Sequence, residues 1–339
     1  MSGRSLAPAE AVASGLFQQA LPAAQLLDAA HACARAMVGQ AYDPARKFPH
    51  LDQSAVPPYS DATSRAIAAR LGVSAEAFEQ TPAYSAILDS VLKGARLPLA
   101  EATALEMHEF LRLMFNPVAG RMVRTLFLGR VRAERELAAP ASLKLQALHV
   151  GAISPARQAW ADALAKVKLE KLQDPALPAD TLVAVDASGA RTTFALRVLD
   201  EAPQACAGTA LVLAPAGPYG RVMEIVGGDA ASLQVAAALA ARLWTLPWPS
   251  RSGTSVLQQL RGKPLPEQAP IALLGAAVPG AGDPTFLDVA ACLSGVAPGW
   301  SGGPLSWLWD EREQQQPRFD TATRAAWDAM HARLEQACT

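Results

Sequence analysis

The sequence predicts a helix-rich mixed α/β fold in which the strands lie in the middle of the chain. Up to about residue 140, apolar residues recur at helical spacing, as in "PAAQLLDAAHACARAMV". Short apolar runs bounded by Gly, Pro and polar residues follow between about 181 and 226, which is typical of strands. After about residue 250, Gly/Pro loops alternate with helical patterns. We therefore expect a sheet flanked by helical regions.

Length, charge and cysteine usage indicate a globular protein with no preference for polyanions. The chain has 339 residues, enough for more than one domain and a sizeable core. With 30 Lys and Arg against 31 Asp and Glu, the net charge is -1, so neither nucleic acid nor a membrane is an expected partner. The four cysteines show no C-x-x-C spacing, so we expect reduced thiols in a cytoplasmic protein and no metal site.

Caps, stops and periodicity predict the individual elements. Helices are predicted over 22–38, 61–72, 82–94, 98–115 and 117–137, with a Pro-rich linker over 40–60. Residues 142–153 are predicted to be a strand, and Ser154 with Pro155 starts a helix that runs to about 172. Further strands are predicted over 181–186, 192–199, 209–214 and 221–226. Asp229 caps a helix that runs to Trp244, and the last helix covers about 320–337.

Four stretches of the chain, taken in order, indicate a known family. They are "AVASGLFQQALPAAQLLDAA", "PAYSAILDSVLKGARLPLAEATALEMHEFLRLMFNPVAGRMVRTLFLGR", "MEIVGGDAASLQVAAALAARLW" with "LPWPSRSG", and "FLDVAACLSGVAPGWSGGPLSWLWDE". They resemble the multifunctional fatty-acid oxidation α-subunits, from the tail of the enoyl-CoA hydratase half through the linker helices to the 3-hydroxyacyl-CoA dehydrogenase. The resemblance implies a helical region over 1–140, a reduced Rossmann-like domain over 141–250 and a helical dehydrogenase C-terminal-like domain over 251–339.

The resemblance makes Glu224 a candidate catalytic residue. In the family, a carboxylate at this position orients a histidine on the preceding strand, and that histidine takes the hydroxyl proton as hydride leaves. The histidine would fall near Ala210 and the family's asparagine at Leu257, yet the chain has no histidine between His149 and His331. We therefore interpret Glu224 as the remnant acid of a dyad without its base. The alternative is a strand-end carboxylate that bonds to backbone or water.

The resemblance also implies that NAD binding is lost, so no cofactor is expected. The family's Gly-x-Gly-x-x-Gly fingerprint would fall near "HVGAISPARQ", where only Gly151 remains and Pro155 occupies the turn. Those glycines let the backbone approach the pyrophosphate. The family's hydratase glutamates lie upstream of every matched stretch. Ser188, in "VAVDASGA", matches a family strand residue and is a candidate for substrate binding.

A cluster of arginines is a second candidate binding site. It consists of Arg121, Arg124, Arg130, Arg132 and Arg135. Arg121 and Arg124 are candidates for binding the phosphates of an acyl-CoA. A solvated helix face is the alternative, because Glu134 and Glu136 are interleaved with the arginines.

A serine motif supports an alternative activity. "GWSGG", over 299–303, satisfies Gly-x-Ser-x-Gly with Ser301 as nucleophile. Asp310 or Asp320 and then His331 follow in the chain order of the α/β-hydrolases. That motif requires a strand immediately before the serine, whereas Pro298 precedes it here. Packing of a loop is the simpler interpretation of the glycines.

The expected function is that of a catalytically inactive relative, with a structural, scaffolding or regulatory role in acyl-CoA metabolism. The alternative is an active acyl-CoA enzyme, either a 3-hydroxyacyl-CoA dehydrogenase with a rebuilt site or a hydrolase that uses Ser301. The expected partner is a second copy of the chain or a thiolase-like subunit, and the candidate ligand is an acyl-CoA. Three aromatics close together, Trp300, Trp307 and Trp309, are expected to anchor the interface.

Overall fold

A computed structural model describes residues 6–14, 17–40, 56–217, 219–280 and 282–338. The chain divides into two compact units, Met1–Leu113 and Met114–Thr339. The helix-rich mixed α/β fold is confirmed, because helices surround a single seven-stranded sheet in the second unit. Most of the predicted linker over 40–60 lies outside the described residues. Within the described ranges, no helix combines the length and the apolar character needed to cross a membrane.

The first unit is built from helices. They are α1 (Pro8–Ala13), α2 (Ala23–Met37), α3 (Asp61–Arg70), α4 (Ala75–Gln80), α5 (Pro82–Gly94) and α6 (Leu99–Met114). Serine caps begin two of them: Ser60 Oγ accepts from the amide of Thr63 at 3.0 Å, and Ser74 Oγ from that of Ala77 at 3.1 Å. These caps satisfy backbone donors that a helix start leaves free. The buried apolar side chains of this unit are few and small, apart from two leucines of α5.

The second unit begins and ends with helices. Before the sheet lie α7 (Pro117–Met122), a π-helical segment (Val123–Gly129) and α8 (Arg130–Glu136). Within the sheet region lie α9 (Gln158–Ala165) and α10 (Ala230–Arg242). After it come α11 (Val256–Leu260), α12 (Leu265–Ala276), α13 (Pro284–Leu293), α14 (Pro304–Asp310), α15 (Arg312–Gln315) and α16 (Thr321–Cys338). Short 3₁₀ turns occupy Pro155–Arg157, Gly299–Ser301 and Gln316–Arg318.

The sheet mixes parallel and antiparallel pairs evenly. Its strands are β1 (Leu145–Val150), β2 (Glu170–Gln173), β3 (Thr181–Asp186), β4 (Arg191–Val198), β5 (Ala210–Leu213), β6 (Val222–Val226) and β7 (Leu246–Pro249), in the order β2-β1-β3-β4-β5-β6-β7. The pairs β1/β2, β4/β5 and β6/β7 are parallel, whereas β1/β3, β3/β4 and β5/β6 are antiparallel. A Rossmann-like sheet is mostly parallel, so this pairing differs from the layout that the resemblance implies.

Both faces of the central strands are buried. In β6, Met223 and Ile225 belong to one apolar cluster with α9 and α10. Successive strand residues point to opposite faces, so Val222 and Glu224 point to the other side. There Val222 packs with Trp248 of β7 in the cluster formed by the C-terminal helices. Glu224 is therefore a carboxylate enclosed between the sheet and these helices.

The helices before the sheet pack with the C-terminal helices, whereas the resemblance implied separate regions over 1–140, 141–250 and 251–339. Arg132 of α8 forms an ion pair with Asp283, the residue that caps α13, at 2.8 Å. A Cβ on Gly129 would lie 3.1 Å from the side chain of Val289 in α13. Local periodicity carries no information about such contacts between distant segments. The chain from Met114 onward is consequently a single compact unit.

Two predicted helices differ in detail. The helix expected over 154–172 ends at Ala165, and β2 follows it as an edge strand beside β1. All residues of β2 are exposed, so the sequence shows no alternation that would indicate a strand. The helix expected over 117–137 contains the π-helical segment Val123–Gly129. Gly129, at its end, permits the close approach to α13.

Candidate functional site

Glu224, the main site residue expected from the sequence, lies in the centre of β6 and has no exposed surface. Its carboxylate accepts hydrogen bonds from Ser255 Oγ at 2.5 Å and from the amides of Val256 at 2.7 Å and Leu257 at 3.1 Å. Ser255 is the N-cap of α11 and accepts in turn from the amide of Gln258. Glu224 thus holds the start of α11 against the sheet, where free amides attract a negative group.

Burial raises the pKa of Glu224 above its ordinary value of 4.5, and the hydrogen bonds from Ser255, Val256 and Leu257 act in the opposite direction. A raised pKa is compatible with a catalytic acid and equally with a buried structural carboxyl. The side chains that surround Glu224 therefore distinguish a catalytic role from a structural one.

The position of the expected histidine is filled by apolar side chains. The register of β5 and β6 places Val212 opposite Glu224, and Ala210 opposite Val226. Ala210, near which the missing base was expected, thus lies two residues from the position opposite Glu224. Val212 and Ala210 are both fully buried. Leu257, where the resemblance would place the family asparagine, contacts Glu224 through its backbone amide.

Asp288 is a second buried carboxylate, and it is not among the site residues predicted from the sequence. It lies in α13 and accepts from the amides of Leu305 and Ser306, both at 2.8 Å, and from Ser306 Oγ at 2.7 Å. Burial raises its pKa from 3.8 to about 7, while these bonds act to lower the pKa. Asp288 holds the first turn of α14 as Glu224 holds that of α11. The Gly-Gly-Pro sequence before α14 was the available signal for this cap.

The two glycines after Ser301 have structural explanations, and Gly303 is explained by that same cap. Gly302 and Gly303 have positive φ angles of 71° and 104°, a region that favours glycine. A Cβ on Gly303 would lie only 2.4 Å from the side chain of Asp288, so a larger residue would push the carboxylate away from α14.

Ser301 does not have the geometry of a hydrolase nucleophile. It lies in a 3₁₀ turn, has no exposed surface and is preceded by a loop rather than a strand. Its hydroxyl donates to the carbonyl of Pro298 at 2.7 Å and accepts from the amide of Gly303 at 3.0 Å. The ring of His331 packs against those of Trp309 and Trp327. The Gly-x-Ser-x-Gly match therefore reflects turn geometry.

The two candidate phosphate ligands are used inside the second unit. Arg121 forms an ion pair with Asp310, and Arg124 donates to the backbone carbonyl of Cys338. Arg121 has only 12% of its side chain exposed, so the alternative of a solvated helix face is wrong for this residue. Farther along, i,i+4 ion pairs join Arg130 to Glu134 and Arg132 to Glu136, as the interleaved charges indicate.

Gly151 and Ser188 also have local structural explanations. A Cβ on Gly151 would lie 2.3 Å from the carbonyl oxygen of Pro178, so the chain itself occupies the space beside this glycine. Ser188 lies at the tip of the β3–β4 hairpin, where its amide and hydroxyl both donate to Asp186. Such an Asx-type turn stabilises the hairpin.

The tryptophan cluster belongs largely to the core. Trp309 stacks on Trp327 with ring centroids 6.1 Å apart, and Trp300 and Trp307 pack against the same apolar cluster. The expectation that these residues anchor an interface is therefore wrong for Trp309, which is only 8% exposed. Their partners on α16 lie too far along the chain for periodicity to reveal.

Among the described residues, the structure shows neither a disulfide nor a cluster of metal ligands. Cys33, Cys206, Cys292 and Cys338 are free thiols. In the described ranges, no group of three or more His, Cys, Asp or Glu side chains is arranged to hold a metal ion.

Comparisons with known proteins add no family to these observations. The chain matched no protein-family model, no curated protein and no solved structure. The relation to the fatty-acid oxidation α-subunits therefore remains a prediction from the sequence.

Proposed function

We propose that the protein has a scaffolding role and acts by assembly through α6. The observation that carries this proposal is an apolar stripe on the exposed side of that helix. The stripe consists of Met107, Phe110, Leu111 and Met114, which follow the i, i+3, i+4, i+7 spacing of one helix face. Each of these side chains is between 48% and 64% exposed. A contiguous apolar face of this kind is typical of a protein interface.

The other side of α6 is already packed. Glu109 is buried and accepts from Arg112 Nε at 2.8 Å. Ala102 approaches α5, because a Cβ placed on Gly94 would lie 3.7 Å from the Cβ of Ala102. Glu109 is thus on the packed side of the helix together with the half-buried Leu105 and Leu113, while the four side chains of the stripe are on the exposed side. Apolar residues exposed opposite the packed face favour a partner for the stripe.

A second copy of the chain is the simplest partner. A two-fold axis beside α6 would bring the stripe of one copy onto the identical stripe of the other, so a single apolar surface would be sufficient. Two helices joined in this way bury their apolar side chains by ridges-into-grooves packing.

The roles of the buried carboxylates also favour this proposal. Glu224 and Asp288 each hold the start of a helix, which gives both residues a structural reason to be present. The reduced Rossmann-like domain and the place in acyl-CoA metabolism rest on the sequence resemblance alone and remain predictions. The same holds for a thiolase-like partner and for the lost NAD site. A cytoplasmic location rests on cysteine usage and is a prediction as well.

The oligomeric state tests the proposal. We expect size-exclusion chromatography with light scattering to report a dimer or larger assembly, and Phe110→Glu to convert it to a monomer, because a charge in the stripe must be desolvated. Leu26→Glu is the matched control, since Leu26 is 60% exposed on α2. A monomeric wild-type protein, or an assembly that persists in Phe110→Glu, would contradict the proposal. Equal loss of the assembly in Leu26→Glu and Phe110→Glu would do the same.

A further inference from the structure

A cavity of about 540 Å³ lies within the second unit. It is formed by the end of α10, the segment 138–144 that precedes β1, and the residues that lead into β6 and β7. Ala237, Ala238, Leu246 and Leu293 contribute buried apolar surface to its wall. Both the volume and the apolar wall are typical of sites for small organic ligands.

Three cations line this cavity without a partner in the described part of the chain. They are Lys144, Arg221 and Arg242. A fourth, Arg130, is paired with Glu134, the acidic residue in the wall, at 2.7 Å. Unpaired cations beside apolar surface produce a positive potential that attracts an anion. More than one such group favours a ligand with two negative charges, and arginine is suited to phosphate oxygens.

Trp244, at the rim of the cavity, is 89% exposed. It occupies the position after the C-cap of α10, with φ at +56°. The amide of Thr245 donates to Ala240 and that of Trp244 to Ala241, which is the Schellman arrangement. Glycine normally takes this left-handed position, because other residues are strained there.

A bulky side chain in a strained position, without burial to stabilise it, is typical of a functional residue. The indole of Trp244 is free to stack on a flat ring, and the cations lie in the same cavity.

We propose that this cavity binds an organic dianion that carries an aromatic ring, with the ring stacked on Trp244 and the charged group held by Lys144, Arg221 and Arg242. The chemistry is that of an aromatic phosphate ester. This site is independent of assembly through α6, because none of the residues that form it lies in α6.

Calorimetric titration with 1-naphthyl phosphate tests the site on the full chain. Inorganic phosphate and 1-naphthol are the separate charged and aromatic parts of the probe. We expect saturable binding of the ester at least about tenfold tighter than that of either part, because stacking and charge pairing act together. The affinity is expected to fall with added salt.

Variants assign the binding to the cavity. Trp244→Ala and Arg242→Gln are each expected to weaken binding by about tenfold. Lys168→Gln is the charge control, because Lys168 is exposed and lies outside the cavity. Absence of saturable binding at millimolar ester would overturn the proposal. The proposal would also be wrong if inorganic phosphate bound as tightly as the ester. It would likewise be wrong if Trp244→Ala and Arg242→Gln bound the ester with the affinity of the wild type.

Discussion

Trp244 occupies a left-handed backbone position that usually holds glycine, and folding alone does not explain this choice of residue. The Schellman turn at the end of α10 requires a left-handed residue, and glycine adopts that conformation without steric cost. For another residue the strain is of the order of 1 kcal/mol. Because its side chain is 89% exposed, burial of the indole offsets little of this cost.

Trp244→Gly is therefore expected to stabilise the protein relative to Trp244→Ala. Both variants lose the indole, and only the glycine relieves the strain, so the difference in the free energy of unfolding is expected to be about 1 kcal/mol. Urea unfolding followed by far-UV circular dichroism measures this difference. Both variants are expected to bind 1-naphthyl phosphate about tenfold more weakly than the wild type. An alanine variant as stable as the glycine variant would show that the turn is not strained.

At the scale of elements, two short helices are held by carboxylates from elsewhere in the chain. Glu224 of β6 holds α11, and Asp288 of α13 holds α14. Both helices are too short to be stable alone, since helix formation is cooperative and its nucleus is costly. The buried acids supply acceptors for amides that would otherwise be buried without a partner.

Asp288 is expected to make stability depend on pH. Its pKa is raised from 3.8 to about 7 in the folded protein, so between these values the folded carboxyl holds a proton that the unfolded chain has released. Its contribution to the free energy of unfolding is therefore full below the unfolded pKa and is lost as the pH rises through the folded pKa. In Asp288→Asn this fall, at most about 1.4 kcal/mol per pH unit, is expected to disappear.

Urea unfolding of the wild type and Asp288→Asn at a series of pH values from 4 to 8 measures the effect of Asp288. The burial of Glu224 raises its pKa as well, so a residual slope of the same sign is expected in the variant. Parallel curves for the two proteins would show that Asp288 is ionised throughout this range when folded.

At the scale of the whole molecule, the second unit contains the main apolar clusters. One joins the sheet to α9 and α10, and another joins it to the C-terminal helices. Every buried residue of these clusters lies between Ala133 and Cys338. The first unit, in contrast, has few buried apolar side chains among its described residues. The two units therefore differ in how much of their stability comes from their own core.

Residues 114–339 are accordingly expected to fold without the first unit. Produced alone, this segment should unfold in one cooperative thermal transition, because its clusters are complete and share the sheet. Circular dichroism measures the transition. Non-cooperative melting, or a spectrum without the signal of a folded sheet, would contradict the division at residue 114.

Much of the element sequence could be predicted because its signals are local. The helix capped by Asp229 and the last helix appear as α10 and α16, and the apolar runs between 181 and 226 appear as β3 to β6. β2 could not be predicted, because an exposed edge strand has no buried face to impose alternation. The division at residue 114 depends on contacts such as Arg132 with Asp283, which no local pattern reveals.

The candidate site residues were harder to interpret than the elements. Glu224 could be selected from the sequence because it is the one carboxylate in an otherwise apolar strand. Its partner is the start of α11, not a second side chain of a dyad. Trp244 was predicted to be the last residue of a helix that ends at Arg242, because no glycine follows α10 to mark its end.

By itself the sequence determined a helix-rich α/β protein with near-zero net charge, strands in the middle and an amphipathic helix at 98–115. These properties depend on composition and on periods of two or 3.6 residues, which act over a few neighbours. Only the tertiary structure decided that Glu224 and Asp288 act as caps, that the stripe of α6 is exposed and that Trp244 borders a cationic cavity. Each of these depends on which distant segments meet, because burial and hydrogen-bond partners are set by packing between segments far apart along the chain.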